Sequence, residues 1–261
     1  MILVFDVGNT ETTIGLFESH TLRAHWRIMT GVPRTSDEFV VLLRGLLQHA
    51  GMDESVVTGA AIGSVVPGVT GPLNDACRAL TRGIVVQVDA RAALPIRLQV
   101  DEPLTVGADR LINTLAASRL YKRDAIVVDL GTATTFDCTT SDGVFLGGVI
   151  APGVQTALET LVRRTSKLPA TELAVPAKVI GTRTEDCIRA GVMFGAADSI
   201  DGIVRRIKRE WPRKEVPLVI ATGGLAETFQ PLCQELEKLE PHLTLRGLAM
   251  AYELLNGEEA P

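Results

Sequence analysis

Short apolar runs alternate along the chain with longer stretches of helical periodicity. The short runs are rich in β-branched residues and predict strands, whereas the longer stretches carry apolar residues three and four positions apart. This alternation is typical of an α/β protein rather than of a β-sandwich or a helical bundle. The predicted strands are Ile2–Phe5, Ala60–Val65, Ile84–Val88, Ala125–Val128, Val144–Ile150 and Leu218–Ala221.

Three of the predicted helices have a defined beginning. The first follows Thr35, which forms the sequence of a capping box with Glu38, and it ends near Gly51. The second follows Ala108. The third begins near Thr184, a residue that can serve as N-cap, and acidic residues follow it as the positive end of a helix dipole favours.

The chain also contains an internal repeat. In each copy an apolar strand ends in Asp-x-Gly, polar residues follow, and a second short strand pattern comes next. This order describes a hairpin whose turn glycine lets the backbone approach a ligand closely. We therefore expect two related lobes, residues 1–121 and residues 122–261. The two copies are Phe5-Asp6-Val7-Gly8-Asn9-Thr10, followed by Thr13–Phe17, and Val128-Asp129-Leu130-Gly131-Thr132-Ala133-Thr134, followed by Thr135–Cys138.

Two such turns can bind a polyphosphate. Turn amides and Thr hydroxyls donate to phosphate oxygens, and an aspartate can organise a cation. One Asp-x-Gly turn alone is common turn chemistry, but its repetition in two halves favours a functional role. A third glycine element, Ala221-Thr222-Gly223-Gly224-Leu225-Ala226, follows a strand. It either approaches an adenosine group or is an ordinary turn between strand and helix.

Composition and charge narrow the class of protein. The 261 residues, 46% of them hydrophobic, fit a folded protein of one large or two smaller domains. The net charge of -5 argues against a nucleic-acid partner. The four cysteines lie far apart and predict neither a zinc site nor a disulfide framework. No basic leader and no apolar run of about 20 residues is present, so we expect a cytoplasmic protein with no membrane partner.

Three segments resemble one family. They are similar to the signature segments of type III pantothenate kinases, which belong to the actin/Hsp70/sugar-kinase superfamily, and the resemblance covers nearly the whole chain. It implies a two-lobed actin-like ATPase (ribonuclease H-like) duplication with a central cleft. It also implies ATP-dependent phosphorylation of pantothenate to 4′-phosphopantothenate, the first step of coenzyme A biosynthesis. The segments are Asp6-Val7-Gly8-Asn9-Thr10, Gly107-Ala108-Asp109-Arg110 and Asp129-Leu130-Gly131-Thr132-Ala133-Thr134-Thr135.

The resemblance further implies a role for each matching residue. Asp109 would be the general base, Asp129 would bind a monovalent cation (K⁺ or NH₄⁺), and Asp6 would lie near Mg²⁺. The active site of the family takes residues from both subunits, which implies a homodimer. The residues expected to bind ATP are Asp6, Gly8, Asn9, Thr10, Glu11, Thr12, Thr13 and Thr132, and those expected to bind pantothenate are Gly107, Ala108, Asp109, Arg110 and Thr184.

Some features leave alternatives open. Glu11 departs from the Asn that is usual in the family, and its carboxylate would either repel phosphate or help to hold Mg²⁺. Val100 stands where relatives often have a Tyr that contacts pantothenate. The glycines Gly191 and Gly195 would permit either a close subunit contact or packing within the chain. Arg110 would either face the substrate or form a surface salt bridge.

Fold alone does not fix function, so two other functions remain. One is a kinase or nucleotide hydrolase of the same architecture that acts on another small alcohol. The other is a non-catalytic nucleotide-binding regulatory protein. An intact Asp109 and two phosphate loops weigh against loss of catalysis, and the acidic charge weighs against contact with DNA.

Overall fold

The computed structural model describes residues 1–257 as two units. The first unit runs to Leu120 and includes residues 142–145 and residues 242–257. The second unit comprises Tyr121–Ser141 and Leu146–Pro241. The division falls within one residue of the expected boundary at 121, but the C-terminal helix lies with the first unit rather than in a lobe of residues 122–261. Its buried face packs there on strands of the first sheet.

The two units contain eleven strands and seven α-helices among the described residues. The strands are β1 (Ile2–Val7), β2 (Glu11–Glu18), β3 (Thr21–Met29), β4 (Gly59–Ser64), β5 (Val85–Val88), β6 (Arg97–Leu98), β7 (Ala125–Leu130), β8 (Ala133–Thr139), β9 (Val144–Pro152), β10 (Leu218–Thr222) and β11 (Lys238–Leu239). The helices are α1 (Ser36–His49), α2 (Pro67–Leu80), α3 (Ala108–Tyr121), α4 (Val154–Arg164), α5 (Thr184–Glu210), α6 (Ala226–Phe229) and α7 (Leu243–Leu255).

Both units have a sheet of the same topology. The first sheet has the order β3-β2-β1-β4-β5, and the second contains the order β9-β8-β7-β10-β11. In the first sheet β1 pairs antiparallel with β2 and parallel with β4. In the second sheet β7 pairs in the same way, antiparallel with β8 and parallel with β10. The first two residues of β9, Val144 and Phe145, pair with β6 and belong to the first unit. The shared order confirms the predicted duplication, which is that of the actin-like, ribonuclease H-like fold.

The sheet of the first unit is covered on both faces. Successive side chains of a strand point to opposite faces. Accordingly, Leu3, Phe5 and Val7 of β1 lie in one buried cluster with residues of α1 and α2. Ile2 and Val4 lie in another cluster with residues of α3 and α7. By the same alternation Asp6 is on the face that α3 and α7 cover.

Local patterns explain most of the elements that form. The capping box before α1 is present, since the Glu38 amide donates to the Thr35 hydroxyl and the Thr35 amide donates to the Glu38 carboxylate. The expected N-cap at Thr184 is wrong. The cap position is Arg183, Thr184 is the first helical residue, and no side chain caps the helix there.

The two-residue strands β6 and β11 were not predicted from the sequence, nor was the long strand β3, although the pattern of β3 is regular. β3 alternates exposed and half-buried residues over its whole length, and the half-buried ones are apolar. Period-two alternation of this kind is the signal of a strand with one face in solvent. Among residues 1–257, no helix combines the length and the apolar character that a membrane span requires.

Candidate active site

The first hairpin of the repeat places Asp6 at the carboxyl end of β1. Asp6 is half-buried and pairs with Thr13 across the hairpin. The turn spans residues 8–11, and the Gly8 amide donates to the Glu11 carbonyl at 3.1 Å. The turn residues Asn9, Thr10 and Glu11 are exposed, whereas Gly8 and Thr13 are half-buried.

Thr12 differs from its neighbours because its side chain is buried. It is 1% exposed, and its hydroxyl shares a 2.8 Å hydrogen bond with the hydroxyl of Thr30. The Thr30 amide also donates to the Thr10 carbonyl at 2.9 Å. The residue after β3 therefore fixes the turn at two points, and the Thr12 hydroxyl supports the loop rather than pointing to solvent.

The second hairpin repeats this geometry with a shorter turn. Asp129, also half-buried, pairs with Thr135 as Asp6 pairs with Thr13. The turn spans residues 131–133, one residue fewer than in the first hairpin, and the Gly131 amide donates to the Ala133 carbonyl at 3.0 Å. Gly131 and Thr132 are exposed. Each unit thus presents an aspartate and a glycine turn at the carboxyl ends of parallel strands, where α/β sheets bind ligands.

Two glycines pack directly against the second hairpin. Gly223 has a φ of +89°, and a Cβ there would lie 2.7 Å from the Leu130 amide nitrogen and would clash with an Asp129 carboxylate oxygen. A Cβ at Gly153 would clash with the Thr132 carbonyl, to which the Gly153 amide donates at 3.2 Å. The third glycine element therefore lies against the second turn, and so does the beginning of α4.

The start of α3 lies beside the first hairpin. Asp6 pairs in register with Gly63 of β4, and a Cβ at Gly63 would contact the Ala108 side chain at 3.7 Å. The Val65 amide donates to the Val7 carbonyl at 3.1 Å, and the Val65 side chain lies 3.4 Å from the position of a Cβ at Gly107. The packing thus places the Gly-Ala-Asp-Arg segment near Gly63, at the same end and on the same face of the first sheet as Asp6.

Asp109 occupies the first turn of α3 with a fixed orientation. Its Oδ1 accepts a 2.9 Å hydrogen bond from the Arg110 amide, and a Cβ at Gly107 would clash with the same oxygen. Burial raises the pKa of the Asp109 carboxyl above its ordinary value, although the Arg110 amide and the Arg110 charge act in the opposite direction. A half-buried carboxyl with a raised pKa is a stronger base than one in water, which suits proton abstraction.

Arg110, the residue that follows Asp109, is half-buried and packs against an aromatic ring. Its guanidinium lies over the ring of Phe145, 4.9 Å from the centroid, and the residue is half-buried. An arginine stacked on an aromatic face keeps its charge and its planar set of donors. It can therefore bind an anionic group while the ring holds it in place.

The remaining candidate, Thr184, belongs to the second unit. It is exposed at the beginning of α5. Farther along the same helix Gly191 and Gly195 are also exposed, and a Cβ at either would have no atom within 4 Å. Packing against the described residues of the chain therefore does not explain these two glycines.

The donor set suits a hard cation shared with a ligand. In the described part of the chain no group of three or more His, Cys, Asp and Glu side chains could hold a metal ion. Asp6 and Asp129 each offer a carboxylate next to turn amides. Mg²⁺ is commonly held by one or two carboxylates together with substrate phosphates, so either aspartate by itself fits a cation that enters with a nucleotide.

Comparison with known proteins agrees with the geometry. The family model described as type III pantothenate kinase matches residues 2–206. A type III pantothenate kinase of Moorella thermoacetica is 40% identical over 97% of this chain and 99% of its own length.

Two solved structures share the fold at low identity. A Campylobacter jejuni protein assigned to a Baf family of transcriptional activators has a TM-score of 0.59 at 17% identity, covering 97% of this chain and 98% of that one. A Sinorhizobium meliloti protein assigned as a 2-dehydro-3-deoxygalactonokinase has a TM-score of 0.57 at 14% identity, covering 98% and 99%. These likenesses concern the fold alone.

Proposed function

The chain belongs to the type III pantothenate kinase family, and on that premise we propose that it transfers the γ-phosphoryl group of ATP to the primary hydroxyl of pantothenate. The observation that carries the proposal is Asp109, a half-buried carboxyl of raised pKa at the end of the first sheet and on the face where Asp6 lies. The products are 4′-phosphopantothenate and ADP.

Asp109 is the general base in this mechanism. It accepts the proton of the pantothenate hydroxyl as the oxygen attacks the γ-phosphorus, and ADP leaves on the opposite side of the transferred group. The hydrogen bond from the Arg110 amide orients the carboxylate, so little reorganisation is needed. Arg110 provides positive charge for the pantothenate carboxylate. Gly107 and Ala108 shape the site around the substrate.

The two hairpins bind the phosphates of ATP. Backbone amides of the turns and the side chains of Asn9, Thr10, Thr13 and Thr132 donate to phosphate oxygens. Asp6 is the residue that would hold Mg²⁺, whose charge would neutralise the phosphates. The glycine element at Gly223 approaches the adenosine side of the nucleotide.

A coupled assay of ADP release tests the reaction. The purified protein is mixed with ATP, Mg²⁺ and K⁺, and pantothenate is compared with common sugars as the acceptor. We expect ADP release that depends on pantothenate, and mass spectrometry should detect 4′-phosphopantothenate. Equal or faster release with a sugar would assign the chain to another kinase specificity, and ATP binding without turnover on any acceptor would favour a regulatory protein.

A monovalent cation is expected at Asp129. The half-buried carboxylate offers oxygen ligands beside the second turn, and a weakly held K⁺ or NH₄⁺ there would offset phosphate charge. Turnover should therefore fall by about tenfold or more when K⁺ is replaced by Na⁺ at constant ionic strength, an order of magnitude that corresponds to about 1.4 kcal/mol of transition-state stabilisation. Asp129→Asn should remove the difference between the two salts. Full activity of the wild-type protein in Na⁺ alone would contradict this site.

A homodimer supplies the rest of the proposed pantothenate site. The exposed Thr184 at the beginning of α5 is the proposed substrate contact from the second unit, and the exposed glycines Gly191 and Gly195 allow close approach of a second helix. We place the protein in the cytoplasm, where ATP and pantothenate are both available.

A further inference from the structure

The first turn carries a charge that is unfavourable for a site that binds triphosphate. Glu11 is the last residue of the turn, and its carboxylate lies in the loop that, under the proposed function, meets the phosphates of ATP. A carboxylate next to phosphate raises the free energy of the bound nucleotide unless a cation offsets it.

A cation lies within reach on the neighbouring strand. Arg27 of β3 is paired in register with Thr13, and its Nη1 lies 3.6 Å from the Glu11 Oε2. Asp6 pairs with Thr13 from the other side, so the three residues occupy one row across β1, β2 and β3. The guanidinium is therefore next to the turn and in the same row as the aspartate of the phosphate site.

We propose that Arg27 is a positioning residue that neutralises Glu11, so that the first turn presents no net negative charge to the triphosphate. The inference rests on the proposed function, because it assumes that this turn binds ATP. It predicts that Arg27 acts through Glu11 rather than through contact with substrate. It also decides between the two roles that the sequence leaves open for Glu11, in favour of repulsion that is compensated within the protein.

The effect should be moderate because both side chains are open to solvent. The side chain of Arg27 is 61% exposed and that of Glu11 is 47% exposed. Exposed ion pairs of this kind typically change an equilibrium by about two- to fivefold, and salt screens them. Such a change is measurable in the KM for ATP.

A double-mutant cycle tests the pair. Arg27→Gln should raise the KM for ATP about two- to fivefold with kcat unchanged, and the increase should shrink at high ionic strength. Glu11→Gln alone should not raise the KM for ATP, because it removes the carboxylate that Arg27 offsets. In the double variant the KM should return to that of Glu11→Gln, and Arg27→Lys, which keeps the charge, should resemble the wild type.

The other end of the same hairpin provides a matched control. Arg23 of β3 forms an ion pair with Glu18 of β2, with a distance of 3.6 Å between Nε and Oε2 and with similar exposure. Arg23→Gln removes an equivalent pair at the end of β2 that is far from the turn of residues 8–11. It should leave the KM for ATP unchanged, which separates a local charge effect from a general loss of hairpin stability.

Two results would overturn the inference. If Arg27→Gln raises the KM equally with and without Glu11→Gln, Arg27 acts directly on the nucleotide or on the fold. If Glu11→Gln alone raises the KM and the Mg²⁺ requirement, Glu11 is a cation ligand. Calorimetric titration with ATP is run beside the turnover assay. If the effects of the Arg27 and Glu11 substitutions on ATP binding are independent while pantothenate is still phosphorylated, only the charge pair is refuted. A wild-type protein that does not bind ATP refutes the proposed function and this inference with it.

Discussion

Asp109→Asn should lower turnover of pantothenate by about 10²–10⁴-fold, the usual contribution of a general base, while ATP still binds. Asparagine keeps the shape of the side chain and can accept the hydrogen bond from the Arg110 amide, but it cannot take the proton of the hydroxyl. Single-turnover kinetics and nucleotide titration together measure the two effects. Near-normal turnover of the variant would show that another group is the base.

The same substitution should not destabilise the fold at neutral pH. Because burial raises its pKa, Asp109 binds its proton more tightly in the folded chain than in the unfolded one. The free energy of unfolding contributed by this group therefore falls as the pH rises from its ordinary pKa of 3.8 through the folded value. At neutral pH the charged carboxylate opposes folding, and Asp109→Asn removes that charge.

Thermal unfolding and a pH profile separate these effects. The Tm of Asp109→Asn at pH 7 should equal or exceed that of the wild type. The kcat/KM of the wild type should decrease as the pH falls through the raised pKa, because the protonated carboxyl is no base. Asp75→Asn, at an exposed position of α2, is the control that should change neither quantity. A lower Tm for Asp109→Asn would mean that its charge stabilises the fold.

Gly223→Ala should weaken ATP binding by about tenfold or more. At a φ of +89° a side chain adds about 1–3 kcal/mol of backbone strain. The added Cβ would also lie 2.7 Å from the Leu130 amide and clash with the Asp129 carboxylate, so the second turn must move. Since that turn is the proposed contact for phosphate and for the monovalent cation, affinity for ATP and activation by K⁺ should fall together.

Gly202→Ala provides the comparison within the same unit. Gly202 lies inside α5, and a Cβ there has no atom within 4 Å. Alanine is favoured over glycine in a helix by about 1 kcal/mol, so this variant should be at least as stable as the wild type and should bind ATP normally. Normal ATP affinity and normal K⁺ activation in Gly223→Ala would show that the glycine element is not part of the nucleotide site.

Features that depend on neighbouring residues were predictable from the sequence. The capping box of α1 and the two Asp-x-Gly hairpins follow from local patterns, and the repeat gave the duplicated topology because both copies share the same order of residue types. The pairing of Asp6 with Thr13 and of Asp129 with Thr135 follows from a hairpin with a short turn.

Features that depend on distant residues were not predictable in the same way. The support of the first turn by Thr30, and the proximity of Arg27 to Glu11, require β3 to pair with β2 in one register. The C-terminal helix returns to the first unit because Leu245 and Leu248 complete a core whose members outside this helix lie more than a hundred residues earlier. Periodicity identifies an amphipathic helix, but it does not identify the sheet that the helix covers.

The most direct measurement is a crystal structure of the protein with pantothenate and a non-hydrolysable ATP analogue in the presence of Mg²⁺ and K⁺. The account predicts that the turns after Asp6 and Asp129 both contact the triphosphate of one nucleotide. It also predicts that an Asp109 carboxylate oxygen lies about 2.6–3.2 Å from the pantothenate hydroxyl. A nucleotide bound by only one of the two turns, or a hydroxyl out of reach of Asp109, would contradict it.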